Sequence, residues 1–178
     1  MDDYGKIEQW FLAYGSDVHH FLAYYTGRSQ VEDLVQEVFA KALLGVRRFE
    51  GRANPKTWLF SIARRVAIDE QRKRKRFSLL ARKIGRDERQ PDATPEEIAV
   101  YRQDVADVYR AVMKLKRSYR DVLFLRVMEQ LSSAETAEVL GWTTARVDVT
   151  LHRAIRKARI VHGTLEGGVR LEAGRERG

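Results

Sequence analysis

Residues 131–153 read LSSAETAEVLGWTTARVDVTLHR and carry the signals of two helices joined by a tight turn. Ser132 and Glu135 have the spacing of a capping box, which starts a helix by satisfying its first backbone N–H groups. Gly141 is expected to end that helix, because glycine readily adopts the left-handed conformation found there. Thr143 is placed to cap a second, longer helix. This layout is the one that lays a recognition helix in the major groove of DNA.

The side chains of this motif divide into an apolar set and a polar set. The apolar set recurs at helical spacing and is expected to face inward: Ala134, Ala137, Leu140, Val147, Leu151, Ala154, Ile155 and Ala158. Base edges would be met near the start of the second helix, and phosphates further along it. The candidates are Thr144, Arg146 and Thr150 for bases, and Arg153, Arg156 and Lys157 for phosphates. The alternative is an ordinary helical hairpin with a solvated basic face.

A second informative stretch, residues 49–76, reads FEGRANPKTWLFSIARRVAIDEQRKRKR and sets large rings beside a run of cations. Asn54 fits an N-cap and Pro55 a first helical position, so a helix is predicted from there to about Arg76. The cations would release counterions from a bound nucleic acid. A groove for single-stranded DNA adds rings, because base–aromatic stacking contributes about 1–3 kcal/mol per base. Burial of Trp58 in a core is the alternative, and it is the commoner fate of a tryptophan at a helix start.

The amino-terminal part of the chain is predicted to hold two further helices. Apolar residues at spacings of three and four run over residues 4–26, as one helix or two short ones, and Gly27 breaks the pattern. Ser29 and Glu32 are spaced as another capping box, which would open the next helix. The apolar stripe of that helix is assigned to a core. Its opposite face carries Asp33, Gln36, Glu37 and Lys41, which are either merely solvated or a surface for a partner.

Every well-patterned segment has helical period and no strand alternation occurs, so the predicted fold class is all-α. Periodicity fades where RDERQPDATPEE carries two of the three prolines, which indicates a flexible linker. The helical pattern resumes from Asp104, with stripes at Val105, Val108, Val112 and Leu115 and at Tyr119, Val122, Leu123 and Val127. The predicted organisation is a helical domain over 1–76, a linker over 77–102, a second helical domain over 103–162 and a disordered tail over 163–178.

Charge is distributed unevenly along the 178 residues, whose net charge is +8. Residues 1–46 hold 3 basic and 7 acidic side chains, whereas residues 47–76 hold 11 basic and 3 acidic ones. The acidic segment 1–46 and the basic segment 47–76 indicate two different partners, and the partner of the basic segment is expected to be a polyanion.

Other classes of protein are disfavoured by what the sequence lacks. There is no cysteine for disulfides or thiolate zinc sites, and none of the four histidines has zinc-ligand spacing with carboxylates. No Gly-rich phosphate loop occurs, so neither catalysis nor a cofactor nor a small-molecule ligand is expected. Charges within the first 20 residues argue against a secretory signal, and no apolar run approaches the roughly 18 residues of a membrane span. We expect a soluble, cytoplasmic protein without membrane insertion.

In three places the sequence resembles the extracytoplasmic-function sigma factors, the small sigma-70-type subunits of bacterial RNA polymerase. The family's core-binding helix, region 2.2, is similar to EDLVQEVFAKAL at 32–43. Its −10 segment, regions 2.3 and 2.4, is similar to FEGRANPKTWLFSIARRVAIDEQRKR at 49–74. Its −35 reader, region 4, is similar to YRDVLFLRVMEQLSSAETAEVLGWTTARVDVTLHRAIRKAR at 119–159. The three matches follow the family's order and cover most of residues 5–160.

The resemblance implies a non-catalytic polymerase subunit. Its partners would be core RNA polymerase and promoter DNA. The contacts with polymerase would be the clamp helices of the largest subunit and the flap. Such factors are commonly held inactive by an anti-sigma protein, which is often membrane-anchored. Residues implied for core binding are Asp33, Leu34, Gln36, Glu37, Ala40 and Lys41. Those implied for −10 DNA are Phe49, Asn54, Lys56, Thr57, Trp58, Arg64, Arg65 and Arg72. Those implied for −35 DNA are Arg126, Thr143, Thr144, Arg146, Val147, Thr150, His152, Arg153 and Lys157.

One difference from the family lies in the recognition helix. Where the family often has Lys, Ser and Arg, this chain has Asp148, Val149 and Thr150, while Arg146 supplies a cation a turn earlier. A carboxylate there is repelled by phosphate but can accept a hydrogen bond from cytosine N4. The runner-up interpretation is a stand-alone helix-turn-helix regulator, which would leave the acidic and the basic-aromatic helices unexplained.

Overall fold

A computed structural model of the chain describes residues 2–49, 51, 54–83 and 111–175; we call the described residues up to 83 unit one and those from 111 onward unit two. Unit one holds α1 (Asp3–Thr26), α2 (Glu32–Gly45), a 3-10 turn (Val46–Arg48) and α3 (Pro55–Lys83). Unit two holds α4 (Arg117–Leu123), a π-helical turn (Phe124–Met128), α5 (Ser133–Leu140) and α6 (Thr144–Arg175). Within those described ranges there is no strand, and the prediction of an all-α fold with two helical domains is confirmed.

Unit one is a bundle of three helices whose apolar faces meet in one core. α1 is a single helix, and it ends where Gly27 adopts a left-handed conformation, φ 69°, and donates its N–H to the carbonyl of Ala23. Phe21 and Phe60 stack with their ring centroids 5.0 Å apart, and both are almost completely buried. Burial of a side chain of this size stabilises the fold by about 1.5–3 kcal/mol. The other core residues are Val18, Leu22, Val38, Ala42, Leu59, Ala63, Val66 and Ala67.

Polar contacts tie the loop between α1 and α2 to α3. Arg28 forms an ion pair with Glu70 at 3.2 Å, and Gln71 donates a hydrogen bond from Nε2 to the carbonyl of Tyr25 at 2.7 Å. These contacts join residues more than 40 positions apart in the chain. They therefore hold the end of α1 and the start of the following loop against α3.

The capping box predicted for Ser29 and Glu32 is wrong. α2 begins at Glu32 with Val31 as its N-cap, and no side chain caps it. Glu32 is thus the first helical residue rather than the third, and its carboxylate lies 3.5 Å from His19. The completely buried side chain of Val31 anchors this helix start by packing instead.

Two helices are longer than predicted. α3 continues past residue 76 to Lys83, so the first part of the predicted linker is helical. α6 continues past residue 162 to Arg175, so the described part of the predicted disordered tail is helical as well. Neither segment contains a proline, and extending an existing helix is far easier than starting one. The remainder of the predicted linker, and the stripe residues Val105 and Val108, lie outside the described residues.

Unit two packs α4 against α6, around Val122, Phe124, Leu125, Leu131, Val147 and Ala154. Val127 was expected in the buried stripe and is exposed. The reason is the π-helical turn, which holds one residue more than an α-helical turn and shifts the phase, so that Phe124 and Leu125 face inward. Ala134 and Ile155 are exposed as well, contrary to prediction, whereas Thr136 and Val139 are buried.

Candidate nucleic-acid interface

Three local features build the helix-turn-helix motif of unit two as the sequence predicts. Ser132 Oγ accepts the N–H of Glu135 at 3.1 Å, and Glu135 Oε2 accepts the N–H of Ser132 at 2.8 Å, which completes the capping box. Gly141 adopts a left-handed conformation, φ 67°, and turns the chain. Thr143 Oγ1 accepts the N–H of Arg146 at 3.3 Å, so α6 begins where predicted.

α6 presents most of the candidate −35 residues to solvent. The exposed ones are Thr143, Thr144, Arg146, His152, Arg153 and Lys157, with Thr150 half-buried. Val147 is completely buried in the core of unit two, so a DNA contact from its side chain is ruled out. Arg126 donates a hydrogen bond from Nη1 to the carbonyl of Leu131, and it therefore supports the loop before α5.

Two side-chain contacts in this motif were not predicted. The guanidinium of Arg146 lies over the indole of Trp142, 3.9 Å from the ring centroid. The carboxylate of Asp148 accepts a hydrogen bond from Ser133 Oγ at the start of α5. The four-residue spacing of Trp142 and Arg146 is the sequence signal that identifies the first contact. The second joins two helices, and no local spacing reveals it.

Trp10, Phe49 and Trp58 form a ring cluster where α1, the 3-10 turn and α3 meet. The ring centroids are 5.0 Å apart for Trp10 and Phe49, 5.2 Å for Phe49 and Trp58, and 5.7 Å for Trp10 and Trp58. A Cβ atom on Gly45 would lie 3.3 Å from the Trp58 ring, so the helix end at Gly45 is packed closely against it. Trp58 and Phe49 are half-buried. Trp58 is therefore part of the fold, and part of its ring still contacts solvent.

Lys6 borders the ring cluster, and Arg47 in the 3-10 turn is paired with Asp3. Lys6 Nζ lies 5.2 Å from the Trp10 centroid and 5.1 Å from the Phe49 centroid, which is cation–π distance. Arg47 donates from Nε to Asp3 Oδ2 at 2.7 Å, and this hydrogen bond, followed by the charge of the carboxylate, raises the pKa of Arg47. One cation, Lys6, therefore lies against the rings, whereas the charge of Arg47 is balanced by Asp3.

The first turn of α3 uses several candidate −10 residues for its own structure. Asn54 Oδ1 accepts the N–H of Lys56 at 2.9 Å, which confirms the predicted N-cap. Lys56 Nζ forms an ion pair with Asp17 Oδ2 at 2.9 Å. Thr57 is completely buried, so its side chain does not reach DNA.

Further along α3, the candidate cations are more accessible. Arg65 and Arg72 are exposed and Arg64 is half-buried. Arg72 lies 3.6 Å from Asp69, but both side chains are exposed and such pairs contribute little. The exposed Lys73, Lys75 and Arg76 extend this cationic surface.

The polar face of α2 forms a continuous surface on unit one. Its exposed members are Asp33, Gln36, Glu37, Ala40 and Lys41. Glu37 and Lys41 form an ion pair at 2.7 Å, so part of the negative charge is balanced locally. Leu34 is only 3% exposed and faces the core, so its side chain is not available for core polymerase. Leu44, which was not predicted, is 86% exposed at the end of the same helix. We call these five exposed residues together with Leu44 the α2 surface.

Across the ranges that the structure describes, no cluster of three or more histidine, aspartate or glutamate residues could hold a metal ion. Nor is any described helix both long enough and apolar enough to cross a membrane.

Two family models match the chain. The model of Sigma-70 region 2 matches residues 10–77, and the model of Sigma-70 region 4 matches residues 106–157. The first match contains the α2 surface, the ring cluster and the cations of α3. The second contains the helix-turn-helix motif. The two matches therefore coincide with the two units.

Proteins with assigned names are similar over most of the chain. The ECF RNA polymerase sigma factor SigX of Bacillus subtilis (strain 168) is 37% identical over 153 residues, which cover 82% of this chain and 78% of SigX. The RNA polymerase sigma factor YlaC of the same organism is 32% identical over 152 residues, covering 84% of this chain and 87% of YlaC. Among solved structures, the sigma factor RpoE of Bartonella quintana, crystallised with the anti-sigma factor NepR, has a similar fold. Its TM-score is 0.72 at 23% identity, over 88% of this chain and 96% of that chain.

Proposed function

Because the chain belongs to the extracytoplasmic-function sigma factors of the sigma-70 family, we propose that its two units divide the recognition of one promoter between them. The chain confers promoter recognition on bacterial RNA polymerase. In this proposal unit one binds core polymerase and opens the −10 element, while unit two reads the −35 element. The observation that carries the division is the placement of the region 2 match on unit one and of the region 4 match on unit two. A stand-alone regulator is not favoured, because it has no use for region 2.

The α2 surface is the proposed contact with the clamp helices of the largest polymerase subunit. Its acidic residues, Asp33 and Glu37, are exposed and stand on a helix whose other face is anchored in the core. Leu44 adds an apolar side chain at the end of this surface, and contact with a partner would remove it from water. Charge then selects the partner, and apolar burial adds affinity.

The −10 element is the proposed ligand of the start of α3 and its cations. In this proposal Arg65 and Arg72, which are exposed, contact phosphates, and the half-buried rings of Phe49 and Trp58 stack on an exposed base. Unstacking a base from a duplex costs a few kcal/mol. Stacking on a ring returns about 1–3 kcal/mol per base, so a captured base together with a few phosphate contacts offsets part of the cost of local opening.

The −35 element is the proposed ligand of α6. Thr144, Arg146 and Thr150 lie in its first two turns, where a recognition helix meets base edges. Arg153 and Lys157 are exposed further along and are assigned to phosphates. Phosphate contacts position the helix in the groove and base contacts specify the sequence.

We also propose control by an anti-sigma protein and action in the cytoplasm, where polymerase and promoter DNA are found. The support for such control is the Bartonella quintana RpoE structure, in which a protein of similar fold is held by NepR. No catalytic step is assigned to the chain, because recruiting and positioning polymerase on DNA requires binding alone.

The experiment that tests the proposal is transcription in vitro with core polymerase, with and without the purified chain, on a pool of genomic fragments followed by start-site mapping. We expect a set of start sites that share one −10 motif and one −35 motif at fixed spacing. Core polymerase that gains no start-site selectivity from the chain would contradict the proposal. An Asp33→Ala, Glu37→Ala double variant is the matched control, since its weaker binding to core polymerase should reduce the selectivity at the same protein concentration.

A further inference from the structure

We infer that Trp142 is a positioning residue for −35 recognition: its indole holds the guanidinium of Arg146 in place at the start of α6, ready for a guanine. This inference rests on the proposed function of unit two. Trp142 lies outside the residues that the sequence analysis assigned to DNA, and it stands in the turn between the two helices of the motif.

The backbone fixes both members of this pair. Trp142 follows the left-handed Gly141, and its N–H donates to the carbonyl of Ala137 at 2.9 Å. The N–H of Arg146 is held by Thr143 Oγ1 at 3.3 Å. The turn at Gly141 and the cap at Thr143 thus bring the two side chains together at the start of α6.

The guanidinium of Arg146 lies over the indole ring of Trp142. The Cζ atom of Arg146 lies 3.9 Å from the Trp142 centroid, with Trp142 half-buried and Arg146 exposed. Among the residues that the structure describes, no carboxylate forms an ion pair with Arg146. The ring is therefore the described partner of this guanidinium, and it restrains the side chain without neutralising its charge. A restrained arginine loses less conformational entropy when it binds DNA.

The chemistry of the pair selects the ligand. A guanidinium is planar and carries five N–H donors at its edge, so a ring against its face leaves the edge donors available. Guanine presents O6 and N7 as two acceptors in one plane in the major groove, and arginine pairs with both. A lysine at the same position has neither the plane nor the fork. The geometry thus points to one guanine of the −35 element as the ligand of Arg146.

The test uses holoenzyme reconstituted with Trp142→Ala, Trp142→Phe, Arg146→Ala, Arg146→Lys and the double alanine variant. Transcription is measured on promoters that share one −10 element and differ at single −35 positions. We expect Arg146→Ala to lose about 5- to 150-fold of the preference for guanine at one position. Trp142→Ala should lose about two- to fivefold of the preference at that same position, as expected for an exposed cation–π contact.

The remaining variants separate positioning from structure. The double alanine variant should lose as much preference as Arg146→Ala alone, because the ring acts through the arginine. Trp142→Phe should keep most of the preference, because it keeps a ring. Arg146→Lys should lose the preference as Arg146→Ala does. In the free full-length chain, the δ-proton resonances of Arg146 should be shifted upfield by the indole, and this shift should vanish in Trp142→Ala.

Three results would overturn the inference alone. Trp142→Ala could lose activity equally on every promoter, its loss could add to that of Arg146→Ala, or it could keep the full wild-type preference. Wild-type holoenzyme without any −35 preference would instead overturn the proposed function of unit two together with the inference.

Discussion

Unit one and unit two differ in how far their candidate binding residues also build the fold. In unit one Thr57 is completely buried, Trp58 packs in the ring cluster and Lys56 is paired with Asp17. In unit two Val147 is the buried member, whereas Thr144, His152, Arg153 and Lys157 on α6 are exposed. A substitution at the start of α3 is therefore expected to change stability and binding together, whereas one at an exposed position of α6 can change binding alone.

The difference follows from how each surface is made. In unit one the segment that would receive a base leads directly into the buried first turn of α3, because Asn54 caps the helix only three residues before Thr57. In unit two the recognition helix touches its core through one stripe, with Val147 and Ala154 buried. Most of its remaining residues up to Ile160 are exposed, and among them Arg146 contacts Trp142 and Asp148 contacts Ser133.

The largest effect is expected for Trp58→Ala. Removing this ring opens the cluster with Trp10 and Phe49, and we expect a loss of about 3 kcal/mol in the free energy of unfolding. Urea unfolding followed by circular dichroism measures it. Below the unfolding temperature the variant should still bind core polymerase, but permanganate footprinting should show less reactive thymine near −10. Trp58→Phe is the control that keeps a ring. If Trp58→Ala leaves both the stability and the footprint unchanged, Trp58 neither contributes to the core nor stacks on a base.

The next largest effect is expected for Asp33→Ala combined with Glu37→Ala. These exposed carboxylates lie on the α2 surface, so the fold should be preserved while affinity for core polymerase falls by about 2 kcal/mol, roughly thirtyfold. Fluorescence anisotropy of labelled protein with core polymerase measures the affinity. Glu8→Ala, an exposed charge removed from α1, is the matched control, and an equal affinity of the double variant and wild type would reject the α2 surface as the contact.

A smaller effect is expected for Arg65→Ala combined with Arg72→Ala. Both cations are exposed on α3, and as phosphate contacts they should weaken promoter binding alike on all sequences. The slope of log affinity against log salt should become shallower by about two, one for each lost contact. Binding by holoenzyme at a series of salt concentrations measures this slope. A loss confined to one −10 sequence would make these arginines base readers instead.

The smallest effect is expected for Asp148→Ala. Its carboxylate accepts a hydrogen bond from Ser133, so the variant should lose about 0.5–1 kcal/mol of stability and keep its −35 preference. Thermal unfolding and transcription on −35 variants measure the two quantities, and Ser133→Ala should have the same stability effect. A changed preference at a cytosine position, with unaltered stability, would show that Asp148 reads DNA.

The sequence predicts those parts of the molecule whose signals are local. Gly27, Gly141 and the capping box of Ser132 and Glu135 end or start helices through contacts within a few residues, and each lies where expected. The family was predicted from three such segments and is confirmed.

The parts that could not be predicted depend on distant contacts. Val31 replaces Ser29 as the N-cap of α2 because its side chain is held in the core, and Asp148 finds its partner fifteen residues away. Leu34, Thr57 and Val147 entered the candidate sites because a family resemblance transfers positions along the chain, whereas burial depends on which way each side chain faces in the fold.

The π-helical turn at Phe124–Met128 gives unit two one residue more than a regular helix needs. Each residue advances an α-helix by about 100°. Deleting a single residue from this turn would therefore leave the hydrophobic composition almost intact but turn the residues after the deletion by about 100° relative to α4. Because Phe124 and Leu125 lie in the core that α4 and α6 share, the register of that core is set by the chain length at this one turn.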